Sequence, residues 1–189
     1  MLRNFQVYTD IELIRLLRND RKKAEPAFTE LYQRYSSMVH AYCQKIINQQ
    51  EAAEDIFQET FIKFYQNVRD NPDNTNVPGY LLKIARNLCL NYKRDKVTTI
   101  PIDGMDFLHE SDNLYEKKEL LELITMSLEL LDFDYREAFV LKEYDGLTYE
   151  EIAEICSTTV GNAKSRVSRA KQKIKNILAP YLNDLCKQN

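Results

Sequence analysis

Six cations crowd the C-terminal part of this chain: Lys164, Arg166, Arg169, Lys171, Lys173 and Lys175. No acidic residue falls between Glu154 and Asp184, although the whole chain carries a formal net charge of −3. A segregated basic stretch in an acidic protein suits phosphate neutralisation, because each cation near a nucleic-acid backbone releases condensed counterions. On a helix, positions 164, 165, 168 and 171 share one face by the three-and-four rule, with Arg169 beside it. Lysine and arginine pair with guanine edges, and the hydroxyls of Ser165 and Ser168 serve bases or phosphate. Catalytic groups, by contrast, are missing. The two histidines are far apart in sequence, and there is no nucleophile–base set, glycine-rich phosphate loop or metal cluster. The residues therefore point to binding, with no enzymatic activity and no cofactor.

The element that must position this basic face begins upstream. Thr148 is followed three places on by Glu151, the reciprocal capping-box pattern that starts a helix. Ile152, Ala153 and Ile155 give that helix an apolar stripe, Ser157, Thr158 and Thr159 break it, and Gly161 marks the expected bend. Two short helices joined by a tight turn, the second basic, form a helix-turn-helix whose second helix enters the major groove. Tyr149 and Glu150, at the start of the first helix, are placed to approach the DNA backbone. Ile152, Ile155, Val160, Val167 and Ile174 are read as core.

The composition bounds the rest. The chain has 189 residues, 44% hydrophobic, with only 4 Gly and 5 Pro, which favours a packed helical protein over a strand-rich one. No apolar run reaches the ~18 residues of a membrane span, and the N-terminus lacks the apolar stretch and cleavage site of a secretory signal. A cytoplasmic protein is expected. Cys43, Cys89, Cys156 and Cys186 are widely spaced and read as small buried hydrophobes. His40 and Cys43 have the spacing of half a zinc site, but structural zinc wants four ligands and no second pair exists.

Hydrophobic periodicity divides the chain in two. Helices are expected at Asp10–Asn19 with Thr9 as cap, from the first turn containing Pro26 to about Asn48, from about Glu51 to Val68, and from Pro78 into a basic cluster ending at Lys96. The break RDNPDNTN between the third and fourth is rich in turn formers. Periodicity vanishes from Val97 to about Asp112, where Pro101, Gly104 and four acids suggest a linker. Helices resume at about Asn113 to Leu131. Asp134 and Glu137 resemble a second capping box, for a helix ending near Gly146, and the basic helix runs to about Leu178 before Pro180 stops it. The expected fold is all-α: two small helical bundles joined by a flexible linker, spanning residues 1–96, 97–112 and 113–189, the last containing the helix-turn-helix.

A second island of signal lies in DIFQETFIKFYQNV, from Asp55 to Val68. Ile56, Thr60 and Phe64 share one side of a helix, and Phe57, Phe61, Ile62 and Tyr65 widen the apolar surface. Asp55, Gln58, Glu59 and Ile62 form a neighbouring acidic-amide stripe, suited to docking another helix, though an ordinary bundle helix with a solvated face reads the same way. Together with GYLLKIARN, which carries Asn87, and with LTYEEIAEI…VGNAKSRVSRAK, this segment resembles, in order and spacing, the bacterial sigma factors of the extracytoplasmic-function (ECF) group. The resemblance runs from about Asp10 to Leu182.

What the resemblance implies is specific. Asp55, Gln58, Glu59, Phe61 and Ile62 match the family surface that grips the β′ clamp helices of core RNA polymerase. The loop from Asn67 to Val77, with Asn67, Asn74 and Asn76, matches the segment that captures a flipped-out base of the minus-ten element, readable on its Watson–Crick edge only outside the stack. Asn87 matches a base-pocket residue, and Lys83, Arg86, Lys93 and Arg94 are placed to hold phosphates of promoter DNA. Lys164, Ser165, Ser168, Arg169 and Lys171, with Tyr149 and Glu150, match positions facing the minus-thirty-five element. The implied partners are core RNA polymerase, including its β flap, promoter DNA and an anti-sigma factor, without membrane insertion. Tyr80, Asn91 and Asn162-Ala163 depart from the usual Trp, Asp and Thr-Val of the family, which leaves base preference open. The alternatives are a stand-alone helix-turn-helix regulator with a helical dimerisation domain, which requires a homodimer on a palindromic site, and a helical adaptor whose basic helix is merely solvated.

Overall fold

The computed structural model describes residues 5–70, 76–97 and 116–185, with side chains placed at 5–68, 76–96 and 123–180. A short 3-10 helix, Phe5–Val7, leads into α1 (Asp10–Asn19), α2 (Ala24–Ile46), α3 (Gln50–Asp70) and α4 (Val77–Val97). The second group is α5 (Glu116–Glu129), α6 (Phe133–Glu143), α7 (Tyr149–Ile155) and α8 (Val160–Leu185). No strand occurs among the described residues. The linker expected after Val97, together with Asn74 and Cys186, lies outside them.

Local chemistry sets several boundaries as expected. Thr9 accepts from the Glu12 amide while the Glu12 carboxylate accepts from the Thr9 amide at 2.7 Å, a complete capping box at the start of α1. Thr148 and Glu151 repeat the arrangement at α7. Asn76 starts α4: its Oδ1 accepts the Gly79 N–H at 3.0 Å.

In the N-terminal bundle, Leu13 and Leu17 of α1, Leu31, Val39 and Tyr42 of α2, Phe64 of α3, and Leu81 and Leu82 of α4 are essentially solvent-free. Burying each large side chain contributes roughly 1.5–3 kcal/mol before conformational entropy is subtracted. Arg34 ties the first residues to α2. It donates to Glu30 and Asp10 at 2.8 Å and to the Tyr8 carbonyl at 2.8 Å. In the C-terminal bundle, Leu128 and Leu131 pack against Ala170, Ile174 and Leu178 of α8. The two bundles also meet: α6 packs on α2 and α7 on α4, so that Tyr42, Cys89, Leu141, Ile152 and Cys156 belong to one continuous buried cluster.

Three sequence expectations are corrected. Asp134 and Glu137 form no capping box. The residue before α6 is Asp132, which makes no side-chain cap bond, and Glu137 is wholly buried between the bundles. Gly161 is not the bend of the helix-turn-helix. It is the second residue of α8, and the turn is made by Ser157, whose φ is 50°. Pro180 does not stop α8, which continues to Leu185. Proline removes one intrahelical bond and crowds the preceding turn, yet the helix runs on past it. Gly146, with φ at +69°, ends the α6 turn in the left-handed region that glycine enters without strain.

Candidate polymerase and DNA interfaces

The α3 signal divides into a floor and a rim. Phe57 and Phe61 are buried, with Phe61 packed on Tyr32 (centroids 4.8 Å apart) and on Phe57 (5.5 Å). Phe61, expected to grip a partner, is only 4% exposed, whereas Ile62 beside it is 56% exposed. These rings, with Phe28, Tyr65, Gln58 and Ile62, line an open groove of about 620 Å³ between α2 and α3. Asp55, Gln58 and Glu59 are exposed along the same helix. Glu59 is bridged to Lys63 at 3.1 Å, and Gln58 reaches Glu54, whose other oxygen lies 3.0 Å from His40 Nε2. A shallow apolar groove rimmed by carboxylates and amides is shaped for an amphipathic helix carrying cations. Tyr32 was not among the sequence candidates, although its spacing from Phe28 on α2 places both on the face opposite Phe61.

On α4 the candidates separate. Lys83, Asn87 and Arg94 form an exposed stripe at helical spacing. Arg86 and Lys93 lie on the adjacent stripe, which α6 covers. The Arg86 side chain is 12% exposed and its Nε donates to Glu137, at 2.9 Å from Oε1 and 3.1 Å from Oε2. The Lys93 ammonium sits 4.6 Å from the centre of the Phe133 ring, and burial beside Arg136 holds its pKa below the ordinary lysine value. The expectation that Arg86 and Lys93 face DNA is thus not met in this conformation, because the second bundle supplies them with partners. Asn67 is exposed but helical, within α3 and not in a loop, and Asn76 has its Oδ1 engaged as the α4 cap.

On α8, Ala163, Val167, Ala170 and Ile174 face the core, and Ser168 and Arg169 point outward with Gln172, while Ser165 is half-buried. Lys164 and Lys171 lie at the edges of this face. Lys164 hangs 5.6 Å from the Tyr149 ring centre, and Lys171 is bridged to Glu143 at 2.9 Å, which raises its pKa. Arg166 and Lys173 pair with Asp134 and Asp132 at 2.7 and 2.8 Å. These two cations tie α8 to the start of α6, and Gln172 is a candidate that attention to charge alone missed. Glu150 is exposed at the start of α7. Among the described residues no group of three or more His, Cys, Asp or Glu could hold a metal ion, and no helix is long and apolar enough to cross a membrane.

Residues 31–99 match the family described as Sigma-70 region 2, and residues 121–174 the family described as Sigma-70, region 4. The ECF RNA polymerase sigma factor SigM of Bacillus subtilis (strain 168) is 31% identical over 159 residues, covering 82% of this chain and 97% of that protein. The chain belongs to the ECF RNA polymerase sigma factors. Similarity extends to the ECF RNA polymerase sigma-E factor of Escherichia coli (strain K12), 29% identical over 181 residues, covering 88% of this chain and 94% of that one. Two solved structures share the fold. The sigma factor RpoE from Bartonella quintana, in complex with the anti-sigma factor NepR, has a TM-score of 0.67 at 24% identity, covering 80% of this chain and 96% of that one. CnrH, in complex with the cytosolic domain of CnrY, has a TM-score of 0.67 at 21% identity, covering 90% and 97%. As an ECF sigma factor the protein binds core RNA polymerase and promoter DNA and directs promoter recognition in transcription initiation.

Proposed function

We propose that the sigma activity divides among three surfaces. The α3 groove, with Asp55, Gln58, Glu59 and Ile62 as rim and Phe61 as floor, docks on the β′ clamp helices. The exposed α4 stripe of Lys83, Asn87 and Arg94, with Asn67, Asn74 and Asn76, meets the minus-ten element, and Arg86 and Lys93 join it once uncovered. Ser165, Ser168 and Arg169, flanked by Lys164 and Lys171 and joined by Gln172, read the minus-thirty-five element, with Tyr149 and Glu150 against the backbone. The β flap is the contact of the C-terminal bundle. The domain limits are taken as residues 1–96 and 113–189 with the linker between, in keeping with the two matched stretches.

The observation that carries the reading is the open apolar groove on α3 with its polar rim, beside the exposed Ile62. An apolar seam with a polar rim suits an amphipathic helical partner. The protein works in the cytoplasm, performs no catalysis itself, and is held inactive by an anti-sigma factor, by analogy with the partners of RpoE and CnrH. The decisive experiment is an Asp55→Ala/Gln58→Ala double variant, which keeps the fold and loses polymerase binding. Unchanged programming of the polymerase by that variant refutes the docking surface.

A further inference from the structure

The cations of α8 fall on two stripes. Beside the face that carries Ser165 and Ser168 runs a second one, made of Asn162, Arg166, Arg169 and Lys173 at spacings of four, three and four. Arg169 borders both. Between the second stripe and the start of α6 opens a cleft of about 500 Å³, lined by Ser165, Arg166 and Arg169 from α8 and by Asp132, Asp134 and Tyr135 from the other side. Two ion pairs join the same elements. Arg166 Nη2 donates to Asp134 at 2.7 Å, and Lys173 Nζ donates to Asp132 at 2.8 Å while lying 4.6 Å from the Tyr135 ring centre. Neither pair is sealed from water. The Lys173 and Asp132 side chains are 47% and 71% exposed, and those of Arg166 and Asp134 are 24% and 49% exposed. Ion pairs so open to solvent hold their members weakly. The Arg166 pair is also incomplete, because Nη1 is buried and has no hydrogen-bond partner. Asp134 thus gives the guanidinium less than the two-pronged contact that a carboxylate or phosphate can supply.

We propose that Asp134 and Asp132 are resident substitutes for two backbone phosphates of duplex DNA: Arg166 and Lys173 exchange these carboxylates for phosphates when α8 docks, and the carboxylates hold down sequence-independent binding. The proposal rests on the reading that α8 meets the minus-thirty-five element. A helix lying in the major groove has a sugar–phosphate strand on either side, so the stripe next to the reading face is the one the backbone passes. A phosphate accepts from both terminal nitrogens of Arg166, and its neutralisation releases condensed counterions, which a carboxylate within the protein does not. Each phosphate contact must first displace a carboxylate. Because backbone contacts carry no sequence information, that competition weakens binding to every duplex alike and leaves discrimination to the base contacts of Ser165, Ser168 and Arg169. The two aspartates are the repulsive element that specificity requires.

The test titrates the full-length chain into fluorescein-labelled duplex DNA of random sequence, followed by anisotropy from about 50 to 200 mM salt. Asp134→Asn and Asp132→Asn each raise affinity about three- to tenfold, since a phosphate no longer has a carboxylate to displace. Arg166→Gln and Lys173→Gln lower affinity, and each makes the slope of log affinity against log salt shallower by about 0.9, the signature of one lost phosphate contact. Removing a negative charge also attracts DNA at long range, and the double variant Asp134→Asn/Arg166→Gln separates the two causes. If the carboxylate acts through Arg166, the gain disappears in that background. The same cycle on Asp132 and Lys173, the more exposed pair, covers the case in which Arg166→Gln does not fold. A gain that survives in the double variants overturns the exchange, and so does unchanged affinity in both aspartate variants at the lowest salt. If Arg169→Ala weakens binding while Arg166→Gln and Lys173→Gln alter neither affinity nor slope, the backbone contacts fall and the reading of α8 stands. If Arg169→Ala also has no effect, that reading falls with them.

Discussion

The outer faces of α3 and α4 belong to one bundle, and both carry residues that match a sigma factor's working surfaces, yet they stand differently. The α3 face ends in solvent: Ile62, Gln58, Asp55 and Glu59 are all exposed. The α4 face is split lengthwise. Lys83, Asn87 and Arg94 are open, while Arg86 and Lys93, on the adjacent stripe, are held by α6. Helical spacing decides which residues share a stripe, but only tertiary contact decides whether a stripe is available. A basic residue in a DNA-binding motif is therefore not automatically a basic residue facing DNA.

The contrast can be broken hardest at its buried members. Phe61→Ala is expected to cost about 3–5 kcal/mol of stability through lost ring contacts and a cavity, read from urea unfolding. Arg86→Ala belongs in the same range, because it strands the buried Glu137 carboxylate. By comparison Arg94→Ala changes stability by less than about 0.5 kcal/mol. A titration that finds Arg86 and Arg94 equally dispensable removes the distinction between the two α4 stripes. Ile62→Glu sharpens the comparison on α3. Stability is unchanged, while affinity for core polymerase falls about thirtyfold, some 2 kcal/mol, as for a central apolar contact at an interface.

The seam between the bundles also has a pH signature. Burial pushes the Asp145 carboxyl, at the end of α6, up to about 7, with Lys45 of α2 pulling it down. A carboxyl raised in the folded state binds its proton more tightly there than in the unfolded chain. Its contribution is thus fully present below the ordinary value of 3.8 and is lost as pH rises through about 7. Asp145→Asn is expected to match wild type near pH 4 and to exceed it at pH 8 by on the order of 1–2 kcal/mol after solvent screening, measured by thermal unfolding across that range. The smallest effect is local to the helix-turn-helix. Thr148→Ala removes the α7 cap at a cost of about 1 kcal/mol, without altering the inter-bundle contacts.

Much of this architecture was legible because it is local. Thr9 with Glu12 and Thr148 with Glu151 are four-residue chemistry, and the structure contains both capping boxes. The apolar faces followed from periodicity, as Ile152, Ile155, Val167 and Ile174 demonstrate by their burial. Most of the failures trace to contacts distant in sequence. Asp134 and Glu137 have the spacing of a cap, but Glu137 is claimed by Arg86, fifty-one positions away in sequence. Phe61 belongs to the matching motif, and only packing against Tyr32 of α2 shows that it is floor and Ile62 is rim. Gly161 attracted the bend because glycine tolerates any φ, while Ser157 took the positive φ instead. On α8, charge drew attention to Lys171, whereas Glu143 holds it and uncharged Gln172 is exposed beside Ser168 and Arg169.

The most direct test of the difference between the α3 and α4 faces is the affinity of purified core RNA polymerase for fluorescently labelled wild type, Ile62→Glu and Glu137→Gln, followed by anisotropy. An open docking face on α3 and a covered stripe on α4 predict tight binding by wild type, equal binding by Glu137→Gln and about thirtyfold weaker binding by Ile62→Glu. Wild-type affinity in Ile62→Glu, or a large gain in Glu137→Gln, contradicts it.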